Sequence, residues 1–188
     1  MAAARPDHPR ITPLGPAEQD EETRALLARI TLPGAPPTAN IFATLARHKK
    51  LFRKWLSASA QFMPGTLPPR EREVAILRTA WRCRSEYEWG QHWLIGRHAG
   101  LADDEIRRVQ EGAEAGGWSP ADAAILHAVD DLHDDDCISE ATWTALEDVF
   151  DDVQRIELVM LIGQYHQVAF ALNSLGVERE KGVPGFAG

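Results

Sequence analysis

Residues 67–106 read LPPREREVAILRTAWRCRSEYEWGQHWLIGRHAGLADDEI, and the periodicity of this stretch decides the fold. Glu73, Ile76, Leu77 and Ala80 fall at i, i+3, i+4 and i+7, one face of a helix predicted over 68–82. A second helix is predicted over 85–99, where Glu88, His92, Ile95 and Ala99 share a face that starts polar and finishes apolar. Gly100 follows it, as a helix C-cap should.

Outward from this pair, helical periodicity recurs over 18–30, 41–63, 103–111, 120–133, 140–149 and 153–175, with no alternating run long enough for a strand. Ser119 before Pro120, Ser139 before Glu140, and Asp151 or Asp152 before the last segment supply N-caps. Gly112 and Gly176 supply C-caps. The expectation is an all-α single domain of about seven or eight helices over 18–188. Pro6, Pro9, Pro13 and Pro16 mark 1–17 as an arm that need not be ordered, and Pro33, Gly34, Pro36 and Pro37 mark a second break.

Composition narrows the classes. With 188 residues and 44% hydrophobic content the chain can bury one core. The 28 acidic against 20 basic residues give a net charge of −8, and the basic residues are scattered apart from a short run at Arg47, Lys49, Lys50, Arg53 and Lys54. No nucleic-acid partner is expected. Apolar runs are too short to span a bilayer and residues 1–10 lack the apolar core of a signal peptide, so no membrane partner and a cytoplasmic location are expected. Cys83 and Cys137 lie 54 positions apart, without CxxC spacing, and give neither a disulfide framework nor a thiolate zinc site.

Glu73 is the anomaly, a carboxylate on an apolar stripe. It needs a partner, and burial raises its pKa unless a cation compensates. It is read either as a structural carboxylate or as an active one. Ser85 with Glu88 three residues on has the pattern of a capping box. Glu88 and His92, four apart, form either an ordinary helix pair or an acid/base pair in which the carboxylate orients the imidazole.

The segments REREVAILR, EYEWGQH and HAGL resemble the signature region of the carboxymuconolactone decarboxylase and alkylhydroperoxidase D (AhpD) superfamily, and LIGQYHQVAFALNSLGV resembles the closing helix of its longer members. The resemblance runs from about Asn40 to Val177 and implies an AhpD-like helical bundle and a homo-oligomer, from dimer to trimer or hexamer. In the AhpD branch a glutamate precedes a CxxC and a histidine. Matching that motif places Glu73 at the glutamate, Ser85 and Glu88 at the two cysteines, and His92 at the histidine, with steps of twelve, three and four residues. Both sulfurs are absent, and a serine hydroxyl forms neither a sulfenic acid nor a disulfide. The remaining set resembles the decarboxylase and lyase side of the superfamily. That implies cofactor-free acid/base chemistry on a small organic acid, lactone or carbonyl compound. Glu73, Glu88, His92 and Ser85 are then the catalytic candidates, with Ser85 or a neighbouring amide holding an anionic oxygen. Tyr87, Trp89 and Arg72 are the substrate-binding candidates, with Arg82 and Arg84 as further cations.

Two alternatives stand beside this reading. One is a noncatalytic helical binding or scaffold protein in which Glu73, Glu88 and His92 form a buried network. The other is an antioxidant activity through Cys83, disfavoured by the missing CxxC. The acidic run with His127, Asp130, Asp131, His133 and Asp134 is read as a solvated helix end and His166 as a satisfied core histidine, so no metal is expected. Six tryptophans suit an interface.

Overall fold

The computed structural model describes residues 4–30 and 39–187. The proline-rich break at Pro33, Gly34, Pro36 and Pro37 lies outside the described residues. Nine α-helices occur among the described residues, and no strand. They are α1 (Glu21–Ala28), α2 (Asn40–Leu45), α3 (Lys49–Ser59), α4 (Pro69–Arg82), α5 (Glu86–His98), α6 (Asp103–Arg108), α7 (Pro120–Asp134), α8 (Glu140–Glu147) and α9 (Asp152–Leu175).

The count exceeds the expected eight because the segment predicted over 41–63 is divided. Its axis breaks at a 3-10 turn, Ala46–His48, where the His48 ring accepts from the Leu51 amide as the N-cap of α3. Arg47 is drawn out of the helix line to the Thr12 carbonyl and Glu18. The expected caps form elsewhere: Ser119, Ser139 and Asp151 accept from the amides three residues on. Gly176 ends α9 in the left-handed conformation, φ 68°.

Helix α4 is the axis of the molecule, packed against α5, α7 and α9. Every residue from Arg72 to Ala80 is buried, so its polar side chains are as enclosed as its apolar ones. Arg72 and Arg78, which helical spacing sets off the face shared by Glu73, Ile76, Leu77 and Ala80, are therefore inside as well. Arg78 is satisfied by Asp130 and by the carbonyls of Val109 and Gln110. The core around α4 is built from Val74, Ile76, Leu77, Trp89, Ile125, Leu126, Leu158 and Leu161. Each such side chain contributes on the order of 1.5–3 kcal/mol relative to exposure.

Two segments without helix wrap this bundle. Residues 5–14 hydrogen bond to α9, to α2 and to the end of α4, through Arg10 to Leu175, Leu14 to Ala43 and Arg5 to Cys83. Residues 177–187 cross α5. Glu180 accepts from the Asn40 amide, the Tyr87 hydroxyl and the Gln91 amide group. Phe186 packs edge-on against Trp81 and Trp89 with centroid separations of 5.0 and 5.7 Å. No helix among the described residues is long and apolar enough to cross a membrane.

Candidate active site

The joint between α4 and α5 sets the geometry. Arg84 adopts the left-handed conformation, φ 52°. The Arg84 amide donates to Trp81 at 3.0 Å and the Ser85 amide to Ala80 at 2.8 Å. These paired bonds close α4 in a Schellman motif and turn α5 back along it. Gly96 lets Leu101, just past α5, fold close against the helix, since a Cβ there would lie 3.1 Å from it, and Gly96 faces α4 at ordinary contact distance, 3.8 Å from the Glu73 Cβ.

The approach brings His92 of α5 across from Glu73 of α4, with Nδ1 2.6 Å from Glu73 Oε2. Glu73 has no solvent exposure, and its other oxygen accepts from Arg72 Nε at 3.2 Å. Arg72 in turn donates to the Met63 carbonyl. A guanidinium thus compensates the carboxylate on the apolar stripe. A carboxylate can only accept, so the Nδ1 proton of His92 donates to Glu73 and Nε2 is the ring nitrogen left with a lone pair. Tyr165 of α9 packs edge-on to the His92 ring, 4.9 Å between centroids at 89°. Its phenol is held well above the ordinary tyrosine range by burial first, then by the charge of Glu73.

Glu88 does not pair with His92. It is 2% exposed, and neither carboxyl oxygen has a hydrogen-bond partner among the described residues. Burial pushes its pKa well above the carboxylate range. The Ser85 hydroxyl lies close enough to oppose that shift, but not in a geometry that makes a hydrogen bond. Burial thus favours the protonated form of Glu88, the form with a proton to donate.

Both Glu88 and His92 line a cavity of about 470 Å³ between α1, α2, α3, α5 and α9. Its wall is mainly apolar, with Trp55, Ile95 and Val168 among the contributors, and Gln91 and Gln164 stand near the two titratable groups. Arg29 and Arg53 are the cations on this wall.

Several expectations are corrected by this arrangement. Ser85 is sealed at 0% exposure and does not line the cavity, so it cannot hold a substrate oxygen. It also makes no capping bond, because its amide is committed to closing α4 and its side chain is enclosed. The residue that orients His92 is Glu73, not Glu88, because the interhelical contact is made while Glu88 is desolvated. Trp89 points into the core beside Trp81, Trp93 and Phe186, away from the cavity. Arg72 is tied to Glu73 and Met63, Arg82 to Asp130 and Asp134, and Arg84 is exposed, so none of them meets a ligand in the cavity. Tyr87 does reach the wall, but its hydroxyl is bound between Glu180 and the Ile41 amide. The acidic run is only partly a solvated end, because Asp130 pairs with Arg78 and Arg82. Tyr165, Gln164, Arg29 and Glu180 were not singled out in sequence, and Arg53 was named only within a short basic run. They reach the site from other elements, and no spacing rule links them to α5.

The helical bundle is similar in fold to AhpD-like helical proteins. It is similar to the AhpD core of an uncharacterised peroxidase-related protein from Ralstonia eutropha JMP134, with 20% identity, a TM-score of 0.78 and 95% of each chain covered. It is also similar to a protein of unknown function from Agrobacterium tumefaciens proposed to be an antioxidant defence AhpD, with 16% identity and a TM-score of 0.68 over 72% of this chain and 94% of that one. The debrominase Bmp8, solved with 2,3,4-tribromopyrrole, gives 10% identity and a TM-score of 0.67 over 91% of both chains. At these identities the likeness is one of fold. No curated protein sequence matches. Residues 49–131 match the model of the Carboxymuconolactone decarboxylase family.

Proposed function

We propose that this protein is a cofactor-free acid/base enzyme acting on a small, largely apolar carbonyl compound, a keto acid or lactone, in the cavity beneath α5. One observation carries the reading: Glu88 is buried at the cavity wall with both oxygens unpartnered, next to a histidine fixed by a buried carboxylate. A purely structural network satisfies its buried polar atoms, and this one leaves its acid open.

His92 Nε2 takes a proton from the carbon next to the substrate carbonyl, and Glu73 stabilises the imidazolium that results. Glu88 donates its proton to the carbonyl oxygen as charge develops there, giving an enol and a Glu88 carboxylate. For isomerisation His92 returns its proton to a different carbon while Glu88 takes back the enol proton. Where the carbon next to the carbonyl carries a carboxylate, loss of carbon dioxide replaces proton removal, its bonding pair passing to the carbonyl as Glu88 protonates the oxygen. The enol then gains a proton from solvent at carbon while Glu88 recovers its own. Arg29 is the cation on the wall placed to meet a substrate carboxylate, Arg53 being paired with Glu22.

A thiol peroxidase has less support. Cys83 is not at the cavity, and burial pushes its thiol up to about 12. The protein is further proposed to be a cytoplasmic homo-oligomer. Val153, Ile156, Met160 and Phe170 of α9 are 58–66% exposed, an apolar face suited to a second copy.

The test follows deuterium incorporation from heavy water into the carbon next to the carbonyl of a panel of small keto acids and lactones, by proton NMR. Exchange that falls roughly 10²–10⁴-fold in His92→Ala and in Glu88→Gln is expected. No exchange across the panel, or exchange equal in the variants, refutes the proposal.

A further inference from the structure

Three side chains that the proposed chemistry does not use meet on the far side of the cavity-lining helix. Cys83 ends α4, His133 lies in the last turn of α7, and His166 sits midway along α9. Cys83 Sγ is 3.9 Å from His133 Nδ1, His133 Nδ1 is 3.1 Å from His166 Nε2, and all three atoms lie within 4.8 Å of one another. None of the three lines the cavity. We infer that Cys83, His133 and His166 form a three-ligand binding site for a borderline-soft divalent metal ion of the zinc type.

The spacing is that of a coordination sphere. Tetrahedral zinc, with bonds of about 2.3 Å to sulfur and about 2.0–2.1 Å to nitrogen, sets its ligands about 3.3 Å apart for two nitrogens and about 3.6 Å apart for sulfur and nitrogen. The observed separations bracket these values, so small side-chain adjustments complete the set. The donor chemistry agrees, since one thiolate with two imidazoles selects zinc and its neighbours over calcium or magnesium.

The supporting contacts are those that a metal site requires. His166 Nδ1 donates to the Ile162 carbonyl at 2.9 Å, which fixes the tautomer and leaves the Nε2 lone pair directed at the cluster. The Phe170 ring, edge-on to His166 at 6.1 Å, limits its rotation. Two guanidiniums stand near Cys83, Arg5 on its carbonyl and Arg82, and the charge of Arg82 is offset by Asp130 and Asp134. Cys83 is 6% exposed while both histidines are only half-buried, which gives the ion a solvent-side entry and leaves a fourth position for water. Without metal, His133 Nδ1–H donates to His166 Nε2. On binding, the Cys83 proton is released to solvent and the His133 proton shifts to its Nε2, so that sulfur and both facing nitrogens ligate. Ligands drawn from α4, α7 and α9 join three helices of the core at one point.

The test uses the full chain without a histidine tag and titrates it with Co²⁺, then with Zn²⁺. The expected result is one equivalent of Co²⁺ bound, with a thiolate-to-cobalt charge-transfer band and intense tetrahedral d–d bands, both removed by Zn²⁺. Cys83→Ser should lose the charge-transfer band, and His133→Gln should bind at least tenfold more weakly. Cys137→Ser, at the exposed second cysteine, should behave as wild type. His133 is half-buried at a helix end, so His133→Gln keeps the fold by circular dichroism and decides the matter if Cys83→Ser does not. Absence of the band in folded wild-type protein, retention of full affinity in His133→Gln, or loss of the band in Cys137→Ser overturns the assignment.

Discussion

Replacing Glu88 by glutamine separates a neutral buried acid from an ionised one. The folded chain holds this carboxyl protonated because burial leaves it without partners, whereas in the unfolded chain it ionises above about pH 4.3. The folded pKa is the higher of the two. Its contribution to stability is therefore fully present below the unfolded value and is lost as pH rises toward the folded one. Within that window wild type loses about 1.4 kcal/mol per pH unit relative to Glu88→Gln, whose amide does not titrate. Each pH unit of that window shifts the gap between the proteins by about 1.4 kcal/mol, or roughly 3–6 °C in Tm for a chain of this size. Urea denaturation followed by tryptophan fluorescence at several pH values reads this directly. Parallel stability profiles for the two proteins would mean that Glu88 ionises inside the fold, and its role as proton donor would fall with that result.

Removing the carboxylate in Glu73→Ala leaves Arg72 buried and uncompensated and should cost about 3–5 kcal/mol in urea denaturation. Arg84→Gly should raise the unfolding free energy by about 0.5–1 kcal/mol, because glycine takes the left-handed φ of 52° without the Cβ penalty. Gly90→Ala should destabilise by about 1–3 kcal/mol, since the new Cβ would stand 2.2 Å from the Pro184 carbonyl oxygen, a backbone atom that cannot swing aside. Ile156→Glu with Met160→Glu should lower the mass in light scattering to that of one chain, and an unchanged mass would show that this face of α9 is not the interface.

The frame of the site was legible in the sequence because helical spacing fixes which residues share a face. Glu73 stood out as a carboxylate on an apolar stripe, and the Glu73, Glu88 and His92 positions follow from periodicity and the motif match. Who pairs with whom was not legible. Glu88 and His92 have the spacing of a helix pair, yet the α4 to α5 approach supplies His92 with a shorter interhelical bond to Glu73. The capping box at Ser85 failed for a related reason, because the chain reversal at Arg84 engages Ser85 through its backbone and encloses its hydroxyl. Trp89 was drawn toward the cavity by its neighbours in sequence, but it sits two positions from Tyr87 on a helix and so faces the core. Tyr165 and Glu180 lie 73 and 88 residues beyond His92, and only tertiary packing brings them to α5.

The crossing of α5 by residues 177–187 also orders events in time. Tyr87 and Gln91 find their partner in Glu180, 93 and 89 residues later. At ordinary rates of synthesis that separation is roughly 5–20 s. Through that interval the nascent chain can collapse its central helices while the Tyr87 hydroxyl, the Gln91 amide and the Trp81 and Trp89 rings still await Glu180 and Phe186. The wall of the cavity is thus among the last parts of the molecule to set, and a chain paused after Gly176 still lacks the segment that ties down Tyr87 and Gln91.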